Sequence, residues 1–355
     1  MSRKILVLAF VATAATCSAF AETTRTVRAT FSGDISAPFA VENLAGTMTI
    51  TPCDASVVEA VATVHAEDEA LAAAISFEQV RGREGRPTLR VRYPVDEHRT
   101  FRYPVNGRGT FHYPGGSTVE YGGRKVKVSS TSGVLLYANV EVRVPRHVGD
   151  AVFHNLVGKL QADGLDGRVR LDSASADISA THLTGQIVAD TGSGDVHAEA
   201  IAGSFTCDTG SGNCVVVGYD GDDLSCDTGS GDISVRDAKG LRFKADTGSG
   251  DVRLENADIE DFRGDTGSGD ITVDVSGARL RRVVADTGSG DVTVRLPADA
   301  SFELNADVGS GDIVSRFADA QSIVHRRTVI GYRRGDGRIH IDADTGSGDV
   351  TVAPR

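Results

Sequence analysis

The sequence predicts an all-β protein: a right-handed parallel β-solenoid with rungs of about 18–21 residues and an irregular strand-rich N-terminal part. Three observations predict it. A hexad recurs at near-constant spacing, apolar columns alternate on both sides of it, and the composition lacks large core anchors. D-T-G-S-G-D begins at Asp190, Asp227, Asp246, Asp265, Asp286 and Asp344. Near-copies begin at Asp208, which ends in Asn213, and at Asp307, with Val308 in the Thr position. A worn D-S-A-S-A-D begins at Asp172. Successive starts lie 18, 18, 19, 19, 19, 21, 21 and 37 residues apart. The last gap fits two rungs, one of them degenerate, or one rung with a long excursion.

The flanking columns give the hexad its structural meaning. Three residues before each first Asp stand Ile187, Phe205, Leu224, Phe243, Phe262, Val283, Leu304 and Ile341, and directly before it stands a small residue such as Ala189, Cys207, Cys226 or Ala245. After the hexad come Val196, Cys214, Ile233, Val252, Ile271, Val292, Ile313 and Val350. This is period-two alternation, the mark of half-buried strands. Gly-Ser-Gly interrupts the strand and is expected to supply backbone angles that side chains forbid. A rung of this length cannot bury its own apolar face, so stacking at about 4.8 Å completes the core. Parallel connections coil right-handed. With no Trp, 6% aromatic residues and 41 Gly, the chain suits thin repeated core layers.

Taken in order, residues 1–21 read as a signal peptide. Arg3 and Lys4 precede the apolar run Ile5–Ala15, and Ala19-Phe20-Ala21 supplies a small-x-small cleavage site. The apolar run is shorter than the roughly 20 residues a spanning helix needs. Thr16 before Cys17 is a poor match to a lipidation signal. Localisation is therefore expected to be extracytoplasmic: periplasmic, outer-surface or secreted.

Residues 22–171 form a strand-rich N-terminal region in which Val41–Ile50, Ser56–Val64, Thr88–Tyr93 and Leu135–Val144 have strand character and Glu67–Ala74 suits a short helix. An arm, 92–122, is inserted there. Tyr93-Pro94, Tyr103-Pro104 and Tyr113-Pro114 recur every ten residues among Arg92, His98, Arg99, Arg102, Arg108 and His112. Proline excludes a central strand, so the segment is expected to be a protruding loop, either binding a partner or folded onto the chain's own acidic repeat. Arg326–Arg338 is a smaller basic excursion open to the same two readings. Residues 172–355 are the repeat solenoid.

Charge is unevenly spread over the formal −12. Asp172 to Asp312 holds 27 acidic and 10 basic residues, a net of −17, whereas Arg81 to Val128 holds 11 basic and 4 acidic, a net of +7. The acidic balance, with no nucleic-acid-binding module, disfavours a nucleic-acid partner, and no nucleic acid is expected. An anionic polymer or other envelope component meeting the basic Tyr-Pro arm is the expected partner.

Tandem rungs of apolar-x-Ala-Asp-Thr-Gly-Ser-Gly-Asp-apolar-x-apolar, behind a signal peptide and a strand-rich lead-in, resemble the bacterial "putative adhesin" family of β-strand-repeat proteins of unknown function. The match is carried by residues 172–355. The resemblance implies an extracytoplasmic solenoid and brings no catalytic residues.

Three chemical readings compete with architecture. D-T-G-S is also the aspartic-protease signature, but that chemistry needs two carboxylates sharing a proton, not eight copies one rung apart. Gly-Asp turns resemble calcium-binding β-rolls; Asn213 in one copy instead suggests that a turn needs the acceptor rather than the charge. His residues are never grouped at ligand spacing. No catalytic, cofactor-binding or metal-ligating residue is assigned, no enzyme is expected, and no cofactor is implied, with calcium as the alternative. The expected function is a non-enzymatic structural or adhesin-like binding protein of the cell envelope. Its rivals are a polysaccharide-acting enzyme on a β-helix scaffold, by fold analogy alone, and a calcium-stabilised surface protein. Of the four cysteines after residue 21, Cys207 and Cys226 share a column on adjacent rungs. They form the favoured disulfide in an oxidising compartment, with a buried free thiol as the alternative.

Overall fold

The computed structural model describes residues 22–31, 33, 36–104 and 116–355. The expected signal peptide, 1–21, lies outside the described residues. Strands dominate; the described helices are Glu69–Ala74 and the short 3-10 turn Arg83–Gly85. Asp68 caps the first of these, its carboxylate accepting from the Leu71 N–H at 2.8 Å. The chain divides after Gly194 into two compact units. The sequence places the boundary at Asp172 instead, because that is where the hexads begin.

The first unit explains the difference. Stacking starts well before the first hexad. Phe39–Cys53 runs parallel to His147–Asp163, which in turn pairs with Asp166–Ser173 and Ser175–Thr181, and Thr184–Thr191 follows. Val41, Phe153, Leu171 and Ala189 form one in-register buried column, and Ile50, Ala162 and Ala180 another. The lead-in therefore contains rungs of its own, separated by residues 54–146. Within that insertion Val58–Ala66 pairs antiparallel with both Thr23–Phe31 and Val134–Pro145. Pro87–Arg92 and Val134–Pro145 lie parallel to the two halves of Phe39–Cys53. A smaller sheet holds Thr100–Arg102, Ser117–Tyr121 and Arg124–Ser129.

The second unit stacks Val196–Thr209, Cys214–Thr228, Ile233–Thr247 and Val252–Thr266 in parallel, each residue opposite its equivalent one repeat later. Phe205, Leu224, Phe243 and Phe262 line up, as do Val196, Cys214, Ile233 and Val252, all at 3% exposure or less. A half-buried column cannot slip by one residue without turning its apolar face outward, so this register is fixed by the alternation itself.

Two expectations need correction here. The hexad glycines are not chosen for left-handed angles. A Cβ on Gly250 would lie 1.9 Å from the Gly231 carbonyl oxygen, and one on Gly231 would lie 2.0 Å from that of Gly212. Close approach of successive turns demands the glycines. Left-handed residues occur instead at the rung's second corner, where Ala200, Gly218, Asp237 and Asn256 have φ between 52° and 70°.

The order of rungs also departs from the sequence. Arg282–Thr287 pairs with Ile339–Thr345, and Ile339–Thr345 pairs on its other side with Phe302–Val308. Val350–Pro354 likewise lies between Val292–Leu296 and Ile313–Ser315. The Asp344 rung is thus inserted between the Asp286 and Asp307 rungs. The 37-residue gap is one rung plus an excursion: Gln321–His325 and Thr328–Arg334 form an antiparallel hairpin on the outer edge of Phe302–Asn305. Unpaired strand edges invite association, and this hairpin covers one.

Candidate functional site

The hexad's polar groups are the first to place. Thr247 is buried; its Oγ1 donates to the Gly231 carbonyl one rung back at 2.9 Å and accepts the Gly250 N–H of its own turn at 3.1 Å. Thr228 and Thr266 do the same in their rungs. The second Asp of each hexad points its carboxylate at the next rung. Asp232 accepts from the Asp251 N–H, Asp251 from Asp270, and Asp270 from Asp291, each at 2.9 Å. Asn213 takes the same place with its amide oxygen, accepting from the Asp232 N–H at 2.9 Å. The acceptor is indeed what the position requires, but it serves the neighbouring rung rather than its own turn. Among the described residues no group of three or more His, Cys, Asp or Glu side chains could hold a metal ion.

The first unit has a buried polar column of its own, Asn43, Asn155, Ser173 and Thr191. Asn43 Nδ2 donates to Asn155 Oδ1 at 2.9 Å and to the Ala138 carbonyl at 3.0 Å. Sequence reasoning missed both asparagines. The signal was present: Asn43-Leu-Ala-Gly and Asn155-Leu-Val-Gly repeat one motif across the insertion.

The described part of the Tyr-Pro segment 92–122 packs into the first unit. Tyr93, Phe101 and Tyr121 are buried and pack edge-on, with ring centroids 5.6 and 5.8 Å from Tyr93. The Tyr93 hydroxyl donates to Asn43 Oδ1 at 3.2 Å and the Ala45 carbonyl at 3.1 Å, and burial pushes its pKa far up. In a chain without Trp these rings supply the large anchors the first unit needs. Arg108, His112 and Tyr113-Pro114 lie outside the described residues, which omit 105–115. The second basic excursion, Arg326–Arg338, carries the tip and return strand of the hairpin just described.

The disulfide also differs. Cys207 bonds to Cys214, not to Cys226, with Cα atoms 6.7 Å apart. Residues in one column of a parallel stack project side by side. Cys207 and Cys214 flank the turn on inward-facing positions and converge. Cys226 stays free, and burial pushes its thiol well up.

What remains is a charged groove of 460 Å³ in the first unit, where the Arg83–Arg86 segment overhangs the outward face of the stacked strands. One in-register outward column there reads Arg90, Glu42, His154, Asp172, Asp190. Arg90 Nε donates to Glu42 at 2.8 Å, and Arg86 grips Asp150 at 2.8 and 3.4 Å. Asp172 lies within 3.5 Å of both His154 Nδ1 and Arg170, and 3.9 Å from Arg83. Burial opposes ionisation of Asp172, but His154, Arg170 and Arg83 together hold its carboxyl below the ordinary carboxylate value. His154 is only 12% exposed, and its Nδ1 faces the Asp172 carboxylate at the long distance of 3.5 Å. The lining balances Arg83, Arg86, Arg168 and Arg170 against Glu42, Glu84, Asp150 and Asp172. Such a wall alternates donors and acceptors without favouring either sign of charge.

Residues 186–353 match the family model described as Toastrack DUF4097. The Toastrack stretch includes all six unbroken hexads, and a β-solenoid-like fold agrees with the parallel stacking seen there. The match brings no adhesion activity with it. No curated protein matches the chain. A crystal structure from Parabacteroides distasonis ATCC 8503, titled "Putative lipid binding protein", is 13% identical at a TM-score of 0.45, covering 93% of this chain and 96% of that one. Another, "a putative cell adhesion protein" from Clostridium sporogenes ATCC 15579, is 9% identical at a TM-score of 0.20, covering 94% and 100%. At those scores neither likeness carries an argument. No helix among the described residues is long and apolar enough to cross a membrane.

Proposed function

We propose that this chain is a non-enzymatic, extracytoplasmic binding protein of the cell envelope, built on a right-handed β-solenoid. Its ligand surface is the charged groove of the first unit. The observation that carries this reading is the groove's balanced lining around the His154–Asp172 pair. Four guanidinium groups facing four carboxylates disfavour a strongly charged ligand and suit hydroxyl groups, which donate and accept at once. Val188, half-buried, offers a small apolar patch for the C–H face of a sugar ring. The ligand is therefore a polyhydroxylated stretch of an envelope polymer.

Calorimetric and NMR titration of the chain with N-acetylglucosamine, galacturonic acid and cellobiose tests the reading. Binding should shift the His154 ring resonances, and Arg83→Ala, on a mostly exposed side chain, should weaken it about tenfold, near 1.4 kcal/mol. Release of reducing ends from a polysaccharide would overturn the non-enzymatic reading. Binding that leaves His154 unmoved, or no binding at all, would overturn the site.

A further inference from the structure

The rung inserted out of sequence defines an interaction site in the second unit. The Asp286 and Asp307 rungs are neighbours in sequence, yet Ile339–Pro354 separates them, hydrogen-bonded in register on both sides. Every ladder of the repeat runs through this segment. Asp349 N donates to Asp291 Oδ1 at 2.8 Å, Asp312 N donates to Asp349 Oδ1 at 2.9 Å, and Thr345 Oγ1 donates to the Gly290 carbonyl at 2.9 Å. The space that Ile339–Pro354 fills between the two flanking rungs is one rung deep.

Its demands on an occupant are narrow. A Cβ at position 346 or 348 would lie 2.5 or 2.1 Å from the carbonyls of Gly288 and Gly290, so both positions must be glycine. Inward columns need Ile341, Val350 and Val352 or their like, and position 343 must be small because it faces Ala285 and Ala306. Thr345 and Asp349 continue the ladders. A strand meeting all of these carries the repeat of this very chain. Nothing in the contacts distinguishes a molecule's own segment from the same segment of another copy. The connection leading to it, residues 316–338, is long and consists largely of the hairpin, where Val324 and Ile330 are exposed.

We propose that this space is a self-association site. A second copy of the chain inserts its Ile339–Pro354 segment there and receives the first copy's segment in return. Reciprocal exchange keeps every rung contact and changes only the connection, which is why such swaps have low thermodynamic cost. The two-fold dimer that results joins second units at their Asp286 and Asp307 rungs.

Val284 and Asp342 face each other in register on the outward side. Full-length chains carrying Val284→Cys or Asp342→Cys, each with Cys53→Ser, are unfolded, mixed, refolded over a range of concentrations and treated with a short bismaleimide. A cross-linked dimer that increases with protein concentration is the expected result. A chain carrying both cysteines should link within one molecule at low concentration. As a readout independent of these variants, unlabelled and ¹⁵N-labelled wild-type chains should give mixed-mass dimers after refolding together, but not after mixing already folded. Linkage confined to single chains at every concentration, or only monomers by mass, would overturn the proposal. Mixed-mass dimers lacking the 284–342 link would overturn it too, since the chains would then associate elsewhere.

Discussion

At the scale of single residues, each hexad position is answered by a specific partner one rung away. Thr247 satisfies two backbone groups in a place water does not reach. Replacing it with Val keeps the shape and removes both bonds, which should cost about 1–3 kcal/mol. Thr247→Ser should recover most of the loss. The chain tolerates Val308 at this position in the rung that the hairpin borders. Asp270→Asn should change stability by less than about 0.5 kcal/mol, because the amide oxygen can still accept from Asp291, as Asn213 does from Asp232. Asp270→Ala should cost about 1 kcal/mol. Chemical denaturation of the four variants checks the set; a large loss in Asp270→Asn would show that the charge, not the acceptor, is required. These roles were half legible in advance. Asn213 pointed to an acceptor, but only the stacking identified its donor.

At the scale of elements, the same outward position behaves oppositely in the two units. In the first unit, His154 on the adjacent strand, Arg170 and Arg83 depress Asp172. In the second, the first Asp of successive hexads stacks in register. Partial burial comes first, and then the like-charged neighbours Asp246 and Asp208 raise Asp227; burial and then Asp265 and Asp344 raise Asp286. The signs follow from linkage. Asp172 contributes stability that is present above the unfolded value of about 3.9 and is lost as pH falls through its lower folded value. Asp227 and Asp286 favour the folded state below that same unfolded value, and this benefit is lost as pH rises through their raised folded values. Asp172→Asn should therefore lower the melting temperature at pH 7 and have no effect near pH 2. Asp227→Asn with Asp286→Asn should raise it at pH 7 and leave it unchanged near pH 3. Both Asp residues are largely exposed, so the second effect should shrink with added salt. Melting curves across pH decide it, and shifts of the same sign for both variants would contradict the column picture. The sequence placed these aspartates in one column. It could not show that Arg90, Glu42 and His154 occupy that position in the first unit, because no hexad marks them.

At the scale of the whole molecule, stability in a stacked repeat is local, each rung depending mainly on its neighbours. Amide exchange should then be slowest in Ile233–Thr247 and Val252–Thr266, which have rungs on both sides, and fastest in the hairpin Gln321–His325 and Thr328–Arg334, which is exposed over most of its length. Equal protection in the hairpin and the central rungs would mean that the excursion is integral to the core. The out-of-order rung bears on the same point. Identical columns make any two rungs compatible neighbours, so the repeat that makes the fold easy to recognise says nothing about which rungs adjoin.

The sequence by itself determined the strand content, the rung length, the residues facing inward and the register between hexads. All of these follow from period-two alternation and turn spacing, which are local in the chain. Tertiary structure alone decided four other features. It decided that stacking begins at Phe39, that Tyr93, Phe101 and Tyr121 are core rather than arm, that Cys207 finds Cys214, and that the Asp344 rung enters between two earlier ones. Each of those depends on which of several compatible surfaces meet across long stretches of chain. Local pattern is silent there, and only the burial of apolar groups and the pairing of strand edges choose.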